Sequence, residues 1–392
     1  MLLSKIRVID FGRYIAGPYC GMMLADFGAD VIRIDRRGGS EDRYLGPVAE
    51  TGEGGMFLSI NRNKRSVTLS PSKPGGKELI RRLVESADVV IANLPLVVMQ
   101  KMGIDYDSLK AVKADIILTM ISTFGPDGPY AERVGFDAVA QAMSGAAALT
   151  GFPDNPVRAL VPFEDYGTAL HAAFGTMAAI YHRDKSGEGQ LVDASLLATG
   201  VTFMTAFLAE RHVTGIKRER IGNAAYWASP SNVYKTKDGW VVIACNGNPM
   251  FARWAKAVGR EDLISHELTQ TDLSRGDHHE LIDQAMAPWC KERTMQQVID
   301  ELEKARVPAG PLYQLEDTLN DPQVKARGLL EYHPYPGAPK DVPLAAPPVR
   351  LSETPASIRA RAPQPGEHCD EVLAELGYSS DEIAQLRVDT TI

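Results

Sequence analysis

Residues 6–35 read IRVIDFGRYIAGPYCGMMLADFGADVIRID: an apolar run, a turn with glycines, a small-residue apolar stretch and a second apolar run. Ile6 to Ile9 and Val31 to Ile34, each mostly apolar with one arginine, read as buried strands. Between them Pro18–Phe27 is expected to be helical, because proline suits a first helical turn, where its missing N–H leaves no bond unmade. Strand, helix and strand in that order make a βαβ opening. The same alternation continues with strands expected at Ser66–Leu69, Val89–Ala92 and Ile116–Ile121 and a helix at Lys77–Glu85, which predicts an α/β fold with a mostly parallel sheet.

Farther along, Asp165–His182 carries a long helical pattern rich in alanine and glycine, so that helix should pack closely. A second domain is expected to begin near residue 225, with a strand–turn–strand unit at Asn232–Ala244 and helices at Phe251–Val258, Glu280–Cys290 and Met295–Lys304. Pro334–Pro348 reads as an extended connection, and Glu371–Leu386 as two helical pieces broken at Gly377.

The 392 residues are 44% apolar and 23% charged, enough to bury a sizeable core. A net charge of -8 argues against nucleic acid or an anionic membrane as the main partner. Four separated cysteines with no CxxC pair suggest neither zinc nor disulfides and fit a reducing cytoplasm. No export signal or membrane span is legible, and the eight scattered histidines hold no HExxH, so no metal site is expected.

Three features point to chemistry. The turn from Gly12 to Gly21 precedes a helix whose N-terminal N–H groups suit a phosphate, although it matches neither the dinucleotide nor the P-loop fingerprint; close strand–helix packing is the plainer reading. Arg33, Arg36, Arg37 and Arg43, with Asn61-Arg-Asn-Lys-Arg-Ser66, place cations at expected strand ends, where they would bracket a polyphosphate or form a solvated surface. Asp165 stands at the start of the long helix, where it is either an N-cap or a carboxylate kept ionised by the helix terminus and available as a nucleophile, with Glu164 as a competitor.

Taken together the sequence resembles the family III coenzyme A transferases, the group with formyl-CoA and carnitine CoA-transferases and the related α-methylacyl-CoA racemases. The resemblance spans nearly the whole chain and rests on Val8-Ile-Asp-Phe with Ala16-Gly-Pro, Gly28-Ala-Asp-Val-Ile-Arg-Ile-Asp-Arg, Asn61-Arg-Asn-Lys-Arg-Ser, Gly135-Phe-Asp-Ala-Val-Ala-Gln, Val307-Pro-Ala-Gly-Pro and Gly366-Glu-His-Cys-Asp-Glu-Val-Leu. It implies a large Rossmann-like domain built from both chain ends (1–215, with 330–392 returning to it), a smaller inserted α/β domain (225–320), and an interlocked homodimer. The catalytic aspartate would be Asp165. Coenzyme A contacts would fall on Ile15, Ala16, Arg36, Leu69, Ser70, Ser72, Asn93, Leu94, Lys101, Phe136 and Asp137, with acyl-CoA a substrate rather than a permanently bound cofactor.

Pro95 and Val134 depart from the family's usual residues in the phosphate and adenine region. The racemase alternative needs a histidine where this chain has Phe136, which cannot carry a proton, so transfer of CoA to a carboxylic acid is the favoured reading. A small dicarboxylic acid, with succinyl-CoA as donor, is the expected pair. A catalytically silent acyl-CoA-binding protein is the third reading.

Overall fold

A computed structural model describes residues 1–392. They fall into two compact units: Met1–Ala146 with Ala159–Thr214 and Pro322–Ile392, and Ala147–Arg158 with Gly215–Asp321.

The first unit alternates strand and helix: β1 (Arg7–Asp10), α1 (Ala16–Asp26), β2 (Asp30–Asp35), α2 (Gly55–Ile60), β3 (Lys64–Thr68), α3 (Gly76–Ser86), β4 (Val89–Ala92), α4 (Leu96–Met102), α5 (Tyr106–Val112), β5 (Ile117–Ser122) and α6 (Asp137–Met143). A long helix, Phe163–Ser186, an edge strand, Leu191–Ser195, and a further helix, Leu196–Thr214, follow. All six strands are parallel, in the order β3-β2-β1-β4-β5 and then the edge strand. The order reverses between β1 and β4, and in open sheets of this kind a crevice opens there at the carboxyl ends of the strands.

The apolar residues of these strands are buried on both faces of the sheet. Ile9, Ile32, Val67, Val90 and Leu118 point into a layer completed by Leu79 and Leu83 of α3 and by Val372, Leu373 and Ile383 near the carboxyl terminus. Val8, Val31, Val89, Ile91 and Ile117 point the other way, into Cys20 and Leu24 of α1 and Ala169, Ala172 and Ala173 of the long helix. Small residues let that helix approach its neighbours closely, as expected: a Cβ added at Gly167 would meet Phe203 at 2.7 Å, and one at Gly175 would meet Val192 at 2.8 Å.

The terminal helices break where the glycine requires. Gly377 has φ +83° between Cys369–Glu375 and Ser380–Val388. The Pro-rich stretch differs from the extended connection read in the sequence, because Val342–Ala345 pairs antiparallel with Leu330–His333. A two-stranded sheet has only edges, so Pro343 can occupy one of its strands without costing an interior ladder bond.

In the second unit the central strand Trp240–Ala244 is antiparallel both to Ser231–Lys235 and to Ala309–Pro311. Helices Asn248–Ala257, His279–Lys291 and Met295–Lys304 enclose a core around the fully buried Trp254. Thr294 and Gln297 form a reciprocal capping box that sets the start of the last helix.

The basic clusters are where the structure corrects the sequence most. Arg33, Arg43 and Lys64 are fully buried, neither solvated nor open to a polyphosphate. Arg33 binds Asp35 and Asp42, Arg43 binds Asp35 and the Pro363 carbonyl, Arg62 binds Asp26, and Lys64 binds Asp10 at 2.8 Å. Such ions are tolerated in an interior only because each is paired and hydrogen-bonded. Asp35 is accordingly held well below the usual carboxylate range; burial alone would raise it, but Arg33 and Arg43 more than offset that.

Candidate active site

The carboxyl ends of the parallel strands form one rim, and the segments leaving it contain nearly all of the residues expected to meet coenzyme A. Ile15 and Ala16 follow β1, Arg36 follows β2, Leu69, Ser70 and Ser72 follow β3, Asn93 and Leu94 follow β4, and Phe136 and Asp137 follow β5. Lys101 lies away from the strand ends, on α4, where it lines a cavity of about 190 Å³ with Lys77, Arg81 and Gln100.

Their surroundings differ. Ile15 and Ala16 are buried at the start of α1, where the Ile15 carbonyl accepts the Tyr19 N–H. Arg36 is exposed and held only by Glu41 at 3.3 Å, whereas Leu69 is buried with its N–H on the Asp35 carbonyl. The Ser70 N–H donates to the Thr391 carbonyl, and Ser72 is exposed. Leu94 packs against the core beneath the rim.

The turn between β1 and α1 is built by side chains from three directions. Asp10 accepts the Gly12 N–H at 2.7 Å, and Asp42, itself clamped by Arg33, accepts the Tyr14 N–H at 3.2 Å. Asn93, reaching across from β4, accepts the Arg13 N–H at 2.7 Å and donates to the Arg13 carbonyl at 2.8 Å. The result is a turn held at the switch point of the sheet, with Tyr14 in the left-handed region at φ +60°. Its ring meets Phe136 edge-on, with centroids 5.5 Å apart. A Cβ at Gly12 would lie 2.6 Å from Asp10 Oδ1, which is why glycine is needed there.

Asp165 lies in the first turn of the long helix but is not its N-cap, contrary to the local reading of the sequence. The helix begins at Phe163 after Pro162, and the capping oxygen comes from another element. Asp137 Oδ1 accepts the Glu164 N–H at 2.9 Å and the Asp165 N–H at 3.1 Å, while Gln141 donates to Asp137 Oδ2 at 2.5 Å. Asp137 thus takes the capping role, because a carboxylate at the start of α6 can reach two N–H groups that helix geometry leaves unpaired. The Asp165 carboxyl is left for other work.

Its ionisation also differs from the expectation that the helix terminus would favour the charged form. Burial, then the charge of Asp137 and the neighbouring Glu164 carboxyl, push Asp165 up to about 7. Desolvation and like charge outweigh the helix dipole, which is worth only about 0.3–1 kcal/mol at an exposed terminus. Glu164 is fully buried, accepts a hydrogen bond from Ser144 at 2.8 Å and is also raised to about 7, chiefly by burial. It cannot compete as a nucleophile because no substrate can touch it. The Tyr166 N–H next to Asp165 donates to the Pro162 carbonyl at 3.1 Å, so it is not free to stabilise an oxyanion. Ser144 and the capping role of Asp137 had no distinctive local signal; the spacing from Gly135-Phe-Asp to Gln141 is the trace that could have marked them.

The family model described as "CoA-transferase family III" matches residues 3–369. The chain is 34% identical to a succinyl-CoA–D-citramalate CoA-transferase of Chloroflexus aurantiacus, covering 100% of this chain and 98% of the relative. It is 36% identical to a succinate–glutarate CoA-transferase of Agrobacterium fabrum, over 95% of each chain. The crystal structure of a CaiB/BaiF family protein from Brucella suis, 34% identical, superposes with a TM-score of 0.83 over 95% of this chain and 98% of that one. With a parallel sheet whose rim gathers these segments, and a whole-length match to that family, the chain belongs to CoA-transferase family III and is a CoA-transferase.

Proposed function

We propose that the enzyme moves coenzyme A between small dicarboxylic acids, with succinyl-CoA as donor, through covalent intermediates on Asp165. The substrate class is supported by the relatives, whose names pair succinyl-CoA or succinate with citramalate, glutarate and malate. The observation that carries the mechanism is the state of Asp165: a half-buried carboxyl in a first helical turn, with its N–H capped by Asp137 and its carboxyl raised to about 7. A carboxylate made more basic by desolvation is a better nucleophile toward a thioester, and near neutral pH a large share is ionised.

Asp165 attacks the thioester carbonyl and expels CoA thiolate, leaving a mixed anhydride. The thiolate attacks the aspartyl carbonyl and releases the donor acid as its carboxylate, which leaves an aspartyl-CoA thioester. The acceptor carboxylate attacks that thioester, the thiolate departs again, and its attack on the acceptor's carbonyl yields the new acyl-CoA and free Asp165. No net proton moves. The Asn93-pinned turn supplies a rigid backbone for the nucleotide end of CoA, and Phe136, a carbon ring, supplies no second base for α-proton exchange.

A homodimer belongs to the same reading. Leu170, Phe174 and Tyr181 run along one face of the long helix and are exposed in the single chain, Phe174 at 79%. An apolar stripe of that kind supports burial against a second copy.

The covalent reading is tested by incubating the enzyme with succinyl-CoA and then hydroxylamine. A hydroxamate on Asp165, located by mass spectrometry, is expected. An active preparation whose Asp165 stays unmodified would refute it.

A further inference from the structure

Glu164 is a buried acid that the mechanism leaves unused. Its side chain is 0% exposed; Oε1 accepts from Ser144 at 2.8 Å, and Oε2 has no hydrogen-bond partner. The Leu196–Thr214 helix closes over it: a Cβ built on Gly200 would lie 2.3 Å from Oε1 and 2.6 Å from the Ser144 Cβ. Oε2 itself is buried from solvent.

Three carboxyls therefore stand together, Asp137, Glu164 and Asp165, and the charges acting on the last two come from carboxyls alone. α6 brings only Asp137. The first turns of the long helix bring Glu164 and Asp165, then His171, whose ring is bonded to Thr199. The stretch Leu196–Ala209 carries no charged residue, and α1 carries only Asp26, which is bound to Arg62. Without a cation, three full negative charges in one cluster are unfavourable, and one proton must stay. Asp137 accepts three N–H bonds, and Asp165 is partly open to solvent. Glu164 has neither compensation, and an unpaired buried oxygen is far cheaper on a neutral acid than on a carboxylate.

We propose that Glu164 is kept as the neutral acid while Asp165 carries the negative charge, so that Glu164 is the positioning residue that lets the nucleophile ionise near neutral pH. This rests on Asp165 as the attacking carboxylate. Glu164 and Asp165 then lose their protons in two steps that belong to the pair, Asp165 first.

The test is the pH dependence of kcat/KM, whose acid limb reports the ionisation of the free enzyme. A glutamine is the shape of the neutral acid, so Glu164→Gln is expected to leave the acid limb in place and the plateau within about threefold of the parent. A limb displaced to lower pH would overturn the proposal, because it would mean that the substitution had removed a repelling charge. Loss of activity in a correctly folded variant would also overturn it, by showing that a carboxylate is required. Infrared spectroscopy of the unaltered enzyme covers the case in which the variant does not fold. A protonated-carboxyl C=O band should persist on the alkaline side of the acid limb's midpoint, where Asp165 is ionised, and its absence would count against a neutral Glu164. That band is read without turnover, so failure to trap Asp165 with the band present would defeat the covalent reading and leave only the neutral state of Glu164 standing, whereas trapping with the band absent would defeat this proposal alone.

Discussion

At the scale of the residue, Asp165 holds its carboxyl in an unfavourable position. Its carboxyl is raised from 3.8 to about 7, so between those values the folded chain binds a proton that the unfolded chain has lost. Stability contributed by that proton is present at low pH and declines as pH rises through about 7. Asp165→Asn removes the titrating group and keeps the N–H that Asp137 caps. In free energy that rise corresponds to about 4 kcal/mol; allowing for partial exposure, the variant should gain about 2 kcal/mol in urea unfolding at alkaline pH. It should gain little at acid pH and should lose transfer completely. An equal or lower stability at alkaline pH would show that the carboxyl is not held against its preference. Asp165 as a candidate was legible from its place before the small-residue helix; its ionisation was not, because Asp137, 28 residues earlier, supplies both the cap and the repulsion.

At the scale of the element, the turn after β1 is shaped by neighbours rather than by its own glycines alone. Asn93 satisfies both the N–H and the carbonyl of Arg13 across two adjacent strands. Asn93→Ala should leave both groups unpaired and loosen the turn, raising KM for the acyl-CoA about tenfold, the equivalent of one lost buried hydrogen bond, with kcat changed less than about twofold. Steady-state kinetics against acyl-CoA and acceptor separately check this: a fall in kcat with KM unchanged would move Asn93 from binding into the chemical step. The βαβ opening itself was readable because buried parallel strands are mostly apolar along their length. The function of Arg33, Arg43, Arg62 and Lys64 was not, since a charge run looks the same in sequence whether it meets solvent, a phosphate or buried carboxylates.

At the scale of the whole molecule, both chain ends share one unit. Arg43 holds the Pro363 carbonyl, Gly366 donates to Ser66, and Arg65 binds Glu371 and Glu375. These bonds join segments roughly three hundred residues apart. The exposed stripe on the long helix leads to a prediction about assembly: Phe174→Glu should lower the dimer fraction in light scattering and lower the melting temperature with it, as expected where folding and association are coupled. A variant with unchanged mass and stability would place the interface elsewhere.

By itself the sequence determined the alternation of buried strands and helices, the close-packed long helix, the break at Gly377, and the stretch that places Asp165 at the start of that helix. Those follow from periodicity and from the backbone demands of single residues, which are local. Only the tertiary structure decided which carboxyl caps the helix, which one keeps an oxygen without a partner, and that Arg33, Arg43, Arg62 and Lys64 turn inward. Those outcomes depend on which groups meet across the rim of the sheet and on how much water remains beside them, and neither is written into any one segment.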